Sequence, residues 1–337
     1  MLRGFGMLLP YLGGVDALLL LVIAIVLDAC VGDSPWLARL LPTPATLVAR
    51  LTARLDRRLN RIDRSEAARR ARGALVSLCL LLGALSLGLV LAFAFREVRW
   101  GAVPELLLLA RALSIRSAWT GMGQTLKALE SGGVEAGREA VAPLTDRQTW
   151  SLDIHGVLRA AIEGGMLRLA CGLAAPLFWY AVLGLPGLLG WAAIDGMAQV
   201  IGHDVPRFRQ FGGVVRQLRR LAGWPPMLLA TLALLLAGLF VPGCKALGGW
   251  RELATARRHP WGPLALPVAA AAGALDLAMA GPRREGEQVV KEPWLGRGRA
   301  RATSRDLRAA MALYGVAGLL LVGLTVSAGL IAAGLGL

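Results

Sequence analysis

The chain has 337 residues, of which 37 are Lys or Arg and 22 are Asp or Glu; 56% are hydrophobic and 18% charged. A soluble chain carries about 45–50% apolar and about 25% charged residues, so this composition, with a mean hydropathy of +0.58, reads as an all-α polytopic membrane protein. It excludes a disordered chain, and four cysteines in this length exclude a disulfide-stapled secreted module. The basic residues stand in blocks between apolar runs, and only 6% of residues are aromatic. That pattern points to membrane topology and away from a nucleic-acid partner.

A spanning helix needs about 20 mostly apolar residues. The first candidate, Val15–Val31, is short. Residues 52–72 then read as a basic amphipathic helix suited to lie on anionic headgroups. Gly73–Phe95 is the second span. Residues 96–168 form a helical extramembrane segment in which Leu106, Leu109, Ala110 and Leu113 share a face, with Glu105 and Arg111 off it. Ser131-Gly132-Gly133 and Pro143 break this segment, and Glu135, Arg138 and Glu139 read as a solvated face. Leu169–Ile194, the third span, carries Pro176 and Pro186 and so is kinked or re-entrant. Pro226–Pro242, Pro263–Ala280 (with Asp276 inside it) and Ala309–Leu337 complete about six transmembrane helices, one membrane domain over residues 1–337.

Charge assigns the sides. Segments 36–72, 195–225 and 281–308 hold 23 of the 37 basic residues, which makes that side cytoplasmic. Residues 96–168 then fall on the opposite side, unless Val103–Ile115 enters the bilayer or the third span is a hairpin.

Generic catalytic motifs are missing. Cys30, Cys79, Cys171 and Cys244 are isolated, and His155, His203 and His259, about 50 residues apart, read as solvated loop residues, so no metal site is written here. There is no G-x-x-x-x-G-K-[ST]. Gly121-Met122-Gly123 reads as a helix break and Gly296-Arg297-Gly298 as a loop.

Several segments, taken in order, resemble one family. Leu27-Asp28 through Gly32-Asp33-Ser34-Pro35, followed by Leu41-Pro42-Thr43-Pro44, is similar to the opening of the CobD/CbiB family, membrane-bound proteins of cobalamin biosynthesis. Asp146-Arg147-Gln148-Thr149, Arg159-Ala160-Ala161-Ile162-Glu163, Ala175-Pro176-Leu177-Phe178, Gly184-Leu185-Pro186-Gly187, Gly202-His203 and Phe211-Gly212 follow in the family's order, and the stretch from Gly281 to Tyr314 resembles its C-terminal loop and last helix. The resemblance covers roughly residues 20–325. It implies a bacterial inner (plasma) membrane protein, crossing several times, that joins aminopropanol or its phosphate to a propionate side chain of cobyric acid.

On that resemblance Glu163 and Arg147 are the candidate catalytic residues, and Asp28, Asp33, Thr149, Arg159, Arg168, Arg219 and Arg220 the candidate substrate-binding residues. Two readings stand for Asp28 and Asp33, helix-end cap or ligand, and two for Arg147, Arg159 and Glu163, ion-pair network or substrate site. The chain departs from the family where acidic or amide residues stand: Met166, Leu167, Arg168, Cys171, Ala198, and Arg219-Arg220 in place of paired aspartates. Two guanidiniums about 4 Å apart repel by about 4 kcal/mol even at an effective dielectric of about 20, so a magnesium site there is not expected. ATP and magnesium are implied only if the family activity is retained. The alternatives are a non-catalytic relative that binds corrinoid or docks other pathway enzymes, and a regulatory membrane protein sharing only the fold. The bilayer and a corrinoid are the expected partners, nucleic acid is not, and whether the chain is an enzyme stays open.

Overall fold

The computed structural model describes residues 15–32, 41–61, 63–285 and 288–334. Helices follow one another as α1 (Val15–Val31), α2 (Pro44–Leu59), α3 (Glu66–Glu97), α4 (Ala102–Ala112), α5 (Ile115–Val141), α6 (Ile154–Leu169), α7 (Ala175–Ile201), α8 (Gly213–Phe240), α9 (Ala246–Ala256), α10 (Ala265–Leu275) and α11 (Ser304–Gly334). Four short strands, β1 (Met279–Ala280), β2 (Arg283–Glu285), β3 (Gln288–Val290) and β4 (Trp294–Leu295), interrupt them between α10 and α11. The chain is an all-α membrane protein.

Among the described residues, four helical stretches are long and apolar enough to cross a membrane: Glu66–Glu97, Ile154–Ile201, Gly213–Phe240 and Ser304–Ala328; Leu19–Cys30 and Gly262–Leu275 are apolar but shorter. Pro263–Ala280 therefore does not form the continuous span expected of it. Asp276 takes a left-handed conformation (φ 55°), its N–H closing on the Ala272 and Gly273 carbonyls, and ends α10 after 11 residues. At 1.5 Å per residue this is about half of a bilayer core. The expected kink in the third span is present: residues 170–174 make a π-helical turn, and Gly184 (φ 63°, ψ −147°) breaks α7 just before Pro186.

The chain divides into two compact units. One comprises residues 1–113, 175–223 and 324–337. In it α2 and α3 both pack on α7, and small residues let backbones meet: a Cβ on Gly73 would lie 2.0 Å from the Phe211 carbonyl oxygen, and one on Gly196 2.3 Å from that of Ala45. In lipid, where apolar burial gives little drive, such close approach is a main source of helix association. Val76, Ala193, Met197, Ile201, Phe211 and Val215 form the core beside these contacts.

Residues 52–72 are not one continuous helix. α2 starts on the Thr43 cap, whose hydroxyl accepts the Thr46 N–H at 3.1 Å, and stops at Asn60, where the chain turns before α3 restarts on the Ser65 cap. The break is fastened by polar groups. Buried Asp56 accepts from Asn60 Nδ2 (2.8 Å) and pairs with Arg207 (2.6 Å), while Arg69 Nε donates to Asn60 Oδ1 (2.9 Å). One face of α2 is thus docked on protein, leaving Leu47, Leu51 and Arg54 outward, and the basic segments around 56–69 and 204–212 lie at one end, as the charge pattern expects. In α4, Leu109, Ala110 and Leu113 are buried as read, but so is Arg111, which had been placed off that face. Glu105 accepts the Tyr180 hydroxyl at 2.6 Å.

The second unit comprises residues 114–174 and 224–323. Here α5 packs on α6, and α9 on α10. Gly133 (φ 71°, ψ −160°) kinks α5, and Pro143 opens a 3-10 turn over residues 142–144, both as expected. The α9–α10 contact is made through backbone: a Cβ on Gly248 would lie 2.4 Å from the Gly273 carbonyl oxygen and one on Gly273 2.3 Å from that of Gly248. From Asp276 the chain enters a small antiparallel element, β1 paired with β4 and β2 with β3, which alternation in the sequence did not announce. α11 starts on a reciprocal cap in which the Thr303 N–H donates to Asp306 Oδ2 (2.7 Å) and the Asp306 N–H to Thr303 Oγ1 (3.4 Å).

Candidate functional site

α6 begins on Asp153, whose Oδ1 accepts the Gly156 N–H at 2.7 Å. That start sets Arg159 and Glu163 four residues apart on one face. The loop before it folds into two 3-10 turns, 142–144 and 149–151, and Arg147 reaches from between them onto Glu163. Its Nε donates to Glu163 Oε2 at 3.1 Å, with Nη2 also 3.1 Å from the same oxygen. Glu163 is only 4% exposed, and its other oxygen accepts the Ala280 N–H at 2.6 Å. Both carboxylate oxygens are therefore engaged.

Ala280 is a left-handed non-glycine residue (φ 56°), followed by Gly281 at φ 73°. That conformation costs an alanine about 1–2 kcal/mol, whereas a hydrogen bond to a charged group contributes about 1.5–3 kcal/mol. The bond to Glu163 offsets the strain and pins the start of the loop that follows β1.

The rest of that loop is fastened to α6 and to the turn before α10. Arg159 donates to the Ala300 carbonyl and lies 5.5 Å over the Trp294 ring; Arg284 lies 5.5 Å over the Trp150 ring. His155 Nδ1 meets the Ala302 carbonyl at 2.8 Å. Arg283 pairs with Glu292 at 3.4 Å, and Glu292 accepts from Trp261 Nε1 at 3.4 Å. Because these contacts join residues 147–163 to 280–302, the two segments lie together. Residues 147–163, the end of the 96–168 segment, thus stand beside 281–308, where the charge count sets the two on opposite sides unless Val103–Ile115 enters the bilayer or the third span is a hairpin.

His259 is 3% exposed, not solvated as its loop position suggested. The Trp261 N–H donates to its Nδ1 (3.3 Å), so Nε2 carries the proton and donates to the Pro293 carbonyl (3.1 Å). Burial lowers its pKa below the ordinary 6.5; the Pro293 carbonyl and Glu292 oppose this, and Arg147 adds to it. Two buried acceptors nearby in sequence to these contacts, Gln148 Oε1 and Glu292 Oε2, have no hydrogen-bond partner among the described residues.

The sequence-predicted residues thus divide. Arg147, Arg159 and Glu163 come together in one unit, with Thr149 opening the 3-10 turn beside Arg147 and Arg168, further along α6, donating to the Pro143 carbonyl. Asp28, buried on α1, belongs to the other unit, as do Arg219, paired with Asp195 at 3.0 Å, and exposed Arg220. Asp33 lies outside the described residues. His259, Arg283, Glu292 and Trp294 were missed as site residues; the one sequence signal was the density of basic residues through 283–301, with Trp294 among them.

The CobD/Cbib protein family matches residues 21–314. The chain belongs to the CobD/CbiB family. "Cobalamin biosynthesis protein CobD" of a Sinorhizobium species is 37% identical over 302 residues, covering 88% of this chain and 93% of the relative. The proteins of the same name from Brucella anthropi (34% over 323 residues; 93% and 97% covered) and Rhodobacter capsulatus (33% over 321; 93% and 96%) extend over nearly the whole length. No solved structure matches the chain. Like its family, this CobD/CbiB protein has a role in cobalamin biosynthesis, and its apolar helices and family are those of a protein in contact with lipid and corrinoid.

The cluster around Glu163 does not fit a divalent cation. Of its two buried carboxylates, Glu163 is saturated by Arg147 and Ala280 and Glu292 is paired with Arg283, so guanidiniums outnumber carboxylates there; among the described residues no three His, Cys, Asp or Glu side chains come together to hold a metal ion. These donors suit an anion.

Proposed function

We propose that this protein joins aminopropanol, or its phosphate, to a propionate side chain of cobyric acid in the bacterial inner membrane, as one multi-pass domain that can hold other pathway enzymes beside it. One observation carries the reading: the cluster in the second unit combines guanidiniums (Arg147, Arg159, Arg283, Arg284) with two unmatched acceptors, Gln148 Oε1 and Glu292 Oε2. An amino alcohol phosphate carries both complements, a dianion for the arginines and an ammonium or hydroxyl donor for the acceptors.

In this reading Glu163 is a positioning residue that holds Arg147, and Arg147, Arg159 and Thr149 contact the anion. Amide formation makes one C–N bond and breaks one carboxyl C–O bond, the amine losing a proton and the oxygen leaving with its activating group. ATP is the activating co-substrate that family membership implies. The cluster contributes orientation, and no step is drawn through magnesium because the donors do not fit it.

Complementation tests the proposal. A strain lacking its own family enzyme should grow on cobyric acid when it carries this gene, and lose that growth with Arg147→Ala. Growth on cobinamide but not on cobyric acid would reject the activity. It would favour the second reading, a corrinoid-binding or regulatory relative, which the substitution of basic residues at Arg219 and Arg220 supports.

A further inference from the structure

In the second unit α9 rests on the last turns of α8: a Cβ on Gly249 would lie 2.8 Å from Leu235 Cδ2, and one on Gly238 3.4 Å from Ala246 Cα. α8 is long and apolar enough to cross a membrane, so α9 stands at the level where that crossing ends. Its outward face carries Leu247 (76% exposed) and Trp250 (62%), a turn apart, after exposed Leu239 and Phe240 at the end of α8. An indole so placed has the setting that tryptophan favours between headgroups and acyl chains.

Beside that face lies a depression of about 230 Å³ between α9, the end of α10 and residues 297–298, with Lys245, Arg251, Glu252, Asp276 and Arg297 as its charged groups. Lys245 and Asp276 satisfy each other at 3.1 Å. The side chains of Arg251, Arg297 and Glu252 have no ion pair or hydrogen bond among the described residues, and the chain running through all three is described without a gap, over 63–285 and 288–334. Exposed arginines alone mean little. The carboxylate is different, because Glu252 Oε2 is buried without a hydrogen-bond partner, and an ionised acceptor shut away from water needs a donor. A phosphate would meet the two guanidiniums but add negative charge beside Glu252, and a simple cation would meet Glu252 alone. One molecule answering all three groups carries a phosphate and, a few bonds away, an ammonium with N–H donors.

We infer that this depression holds the headgroup of phosphatidylethanolamine, its phosphate on Arg251 and Arg297, its ammonium on Glu252 and its acyl chains along Leu247 and Trp250. A free amino alcohol phosphate has the same two charged ends; the exposed apolar face beside the depression commits the site to a lipid. A choline headgroup has no N–H to donate and a glycerol headgroup no cation, so each fails at Glu252. The site shares no residue with the cluster around Glu163 and does not rest on the proposed reaction.

The test uses the full-length protein in detergent, with phosphatidylethanolamine labelled on an acyl chain as fluorescent probe. Unlabelled phosphatidylethanolamine, phosphatidylcholine and phosphatidylglycerol of matched chains, and free phosphoethanolamine, are the competitors. The parent should bind about one probe per chain, and phosphatidylethanolamine should displace it about tenfold better than either other lipid, with free phosphoethanolamine ineffective at about a hundredfold higher concentration. Glu252→Gln should bring phosphatidylethanolamine and phosphatidylcholine to within about threefold of each other. Arg251→Ala with Arg297→Ala, both on exposed side chains, should weaken probe binding about tenfold at an unchanged melting temperature. No saturable binding by the parent, equal displacement by the three lipids, displacement by free phosphoethanolamine as effective as by the lipid, or unchanged binding in the double arginine variant would each overturn the assignment, whether or not Glu252→Gln folds.

Discussion

Glu163 has both carboxylate oxygens engaged, and removing its charge tests what holds the second unit. Glu163→Gln keeps an acceptor for Ala280 but leaves Arg147 without its carboxylate. Breaking a buried pair from one side costs about 3–5 kcal/mol, whereas replacing both members with apolar groups is often neutral. Thermal unfolding in detergent should therefore show Glu163→Gln as the weaker protein and Glu163→Leu with Arg147→Met as partly restored. His259 gives a pH dependence. Its folded pKa lies below 6.5, so between that lower value and about 6.5 the unfolded chain binds a proton that the native state refuses. The contribution of the neutral ring is full above about pH 6.5 and is lost as pH falls through the window. Hydrogen exchange over residues 278–300, corrected for intrinsic rates, should accelerate on acidification, and His259→Gln should flatten the response. Arg147, Arg159 and Glu163 could be found through short ordered motifs. His259 and Glu292 could not, because the contacts that bury them, His259 with Pro293 and Trp261 with Glu292, join positions more than 30 residues apart through a loop without regular periodicity.

At the scale of elements, α5 offers a controlled comparison. A Cβ on Gly133 would meet nothing within 4 Å, so only its backbone (φ 71°) resists a side chain, while Gly123 in the same helix has ordinary φ and one loose neighbour at 3.5 Å. Gly133→Ala should destabilise by about 1–3 kcal/mol, and Gly123→Ala should be neutral or stabilising by up to about 1 kcal/mol. Melting curves of the two variants, run side by side, decide it; equal shifts would remove the argument from strain. Helices whose apolar run is uninterrupted, such as α3, were legible directly. α10 was not, since an apolar window of adequate length hides a stop made by one left-handed aspartate, Asp276. The break between α2 and α3 was hidden as well, because Asn60 ends the helix through partners at Asp56, Arg69 and Arg207.

For the whole molecule, contact and charge make a joint prediction about sidedness. Asp56 with Arg207, and Arg159 with the Ala300 carbonyl, each tie two segments to one end of their own unit. On a background without native cysteines, Asp63→Cys, Arg209→Cys, Trp150→Cys and Arg301→Cys should all react with a membrane-impermeant maleimide from the cytoplasmic face. All four positions are exposed, and 63, 209 and 301 lie in the basic segments. Labelling of 150 and 301 from opposite faces would refute the packing of α6 against the C-terminal loop. Charge counting picks out three basic segments but could not join 96–168 to them, because that segment holds nine basic and eight acidic residues and so carries almost no net signal.

The mutual glycine contact of α9 and α10 has a consequence for the loop that leaves Asp276. Where Gly248 and Gly273 each meet the other's carbonyl, there is no side chain to change rotamer; sliding α10 by a residue would bring Ala272 or Ala274 into a gap that admits only hydrogen, and sliding α9 would bring Leu247 into it or carry Gly249 off its own close approach to the Ala270 carbonyl. The helical pair therefore has one permitted register and behaves as a rigid mount. Its cohesion is dispersion between backbones, which exchange of lipid for detergent leaves intact, so the base of the loop carrying Arg283 and Trp294 should keep its place through solubilisation even where lipid-facing helices loosen.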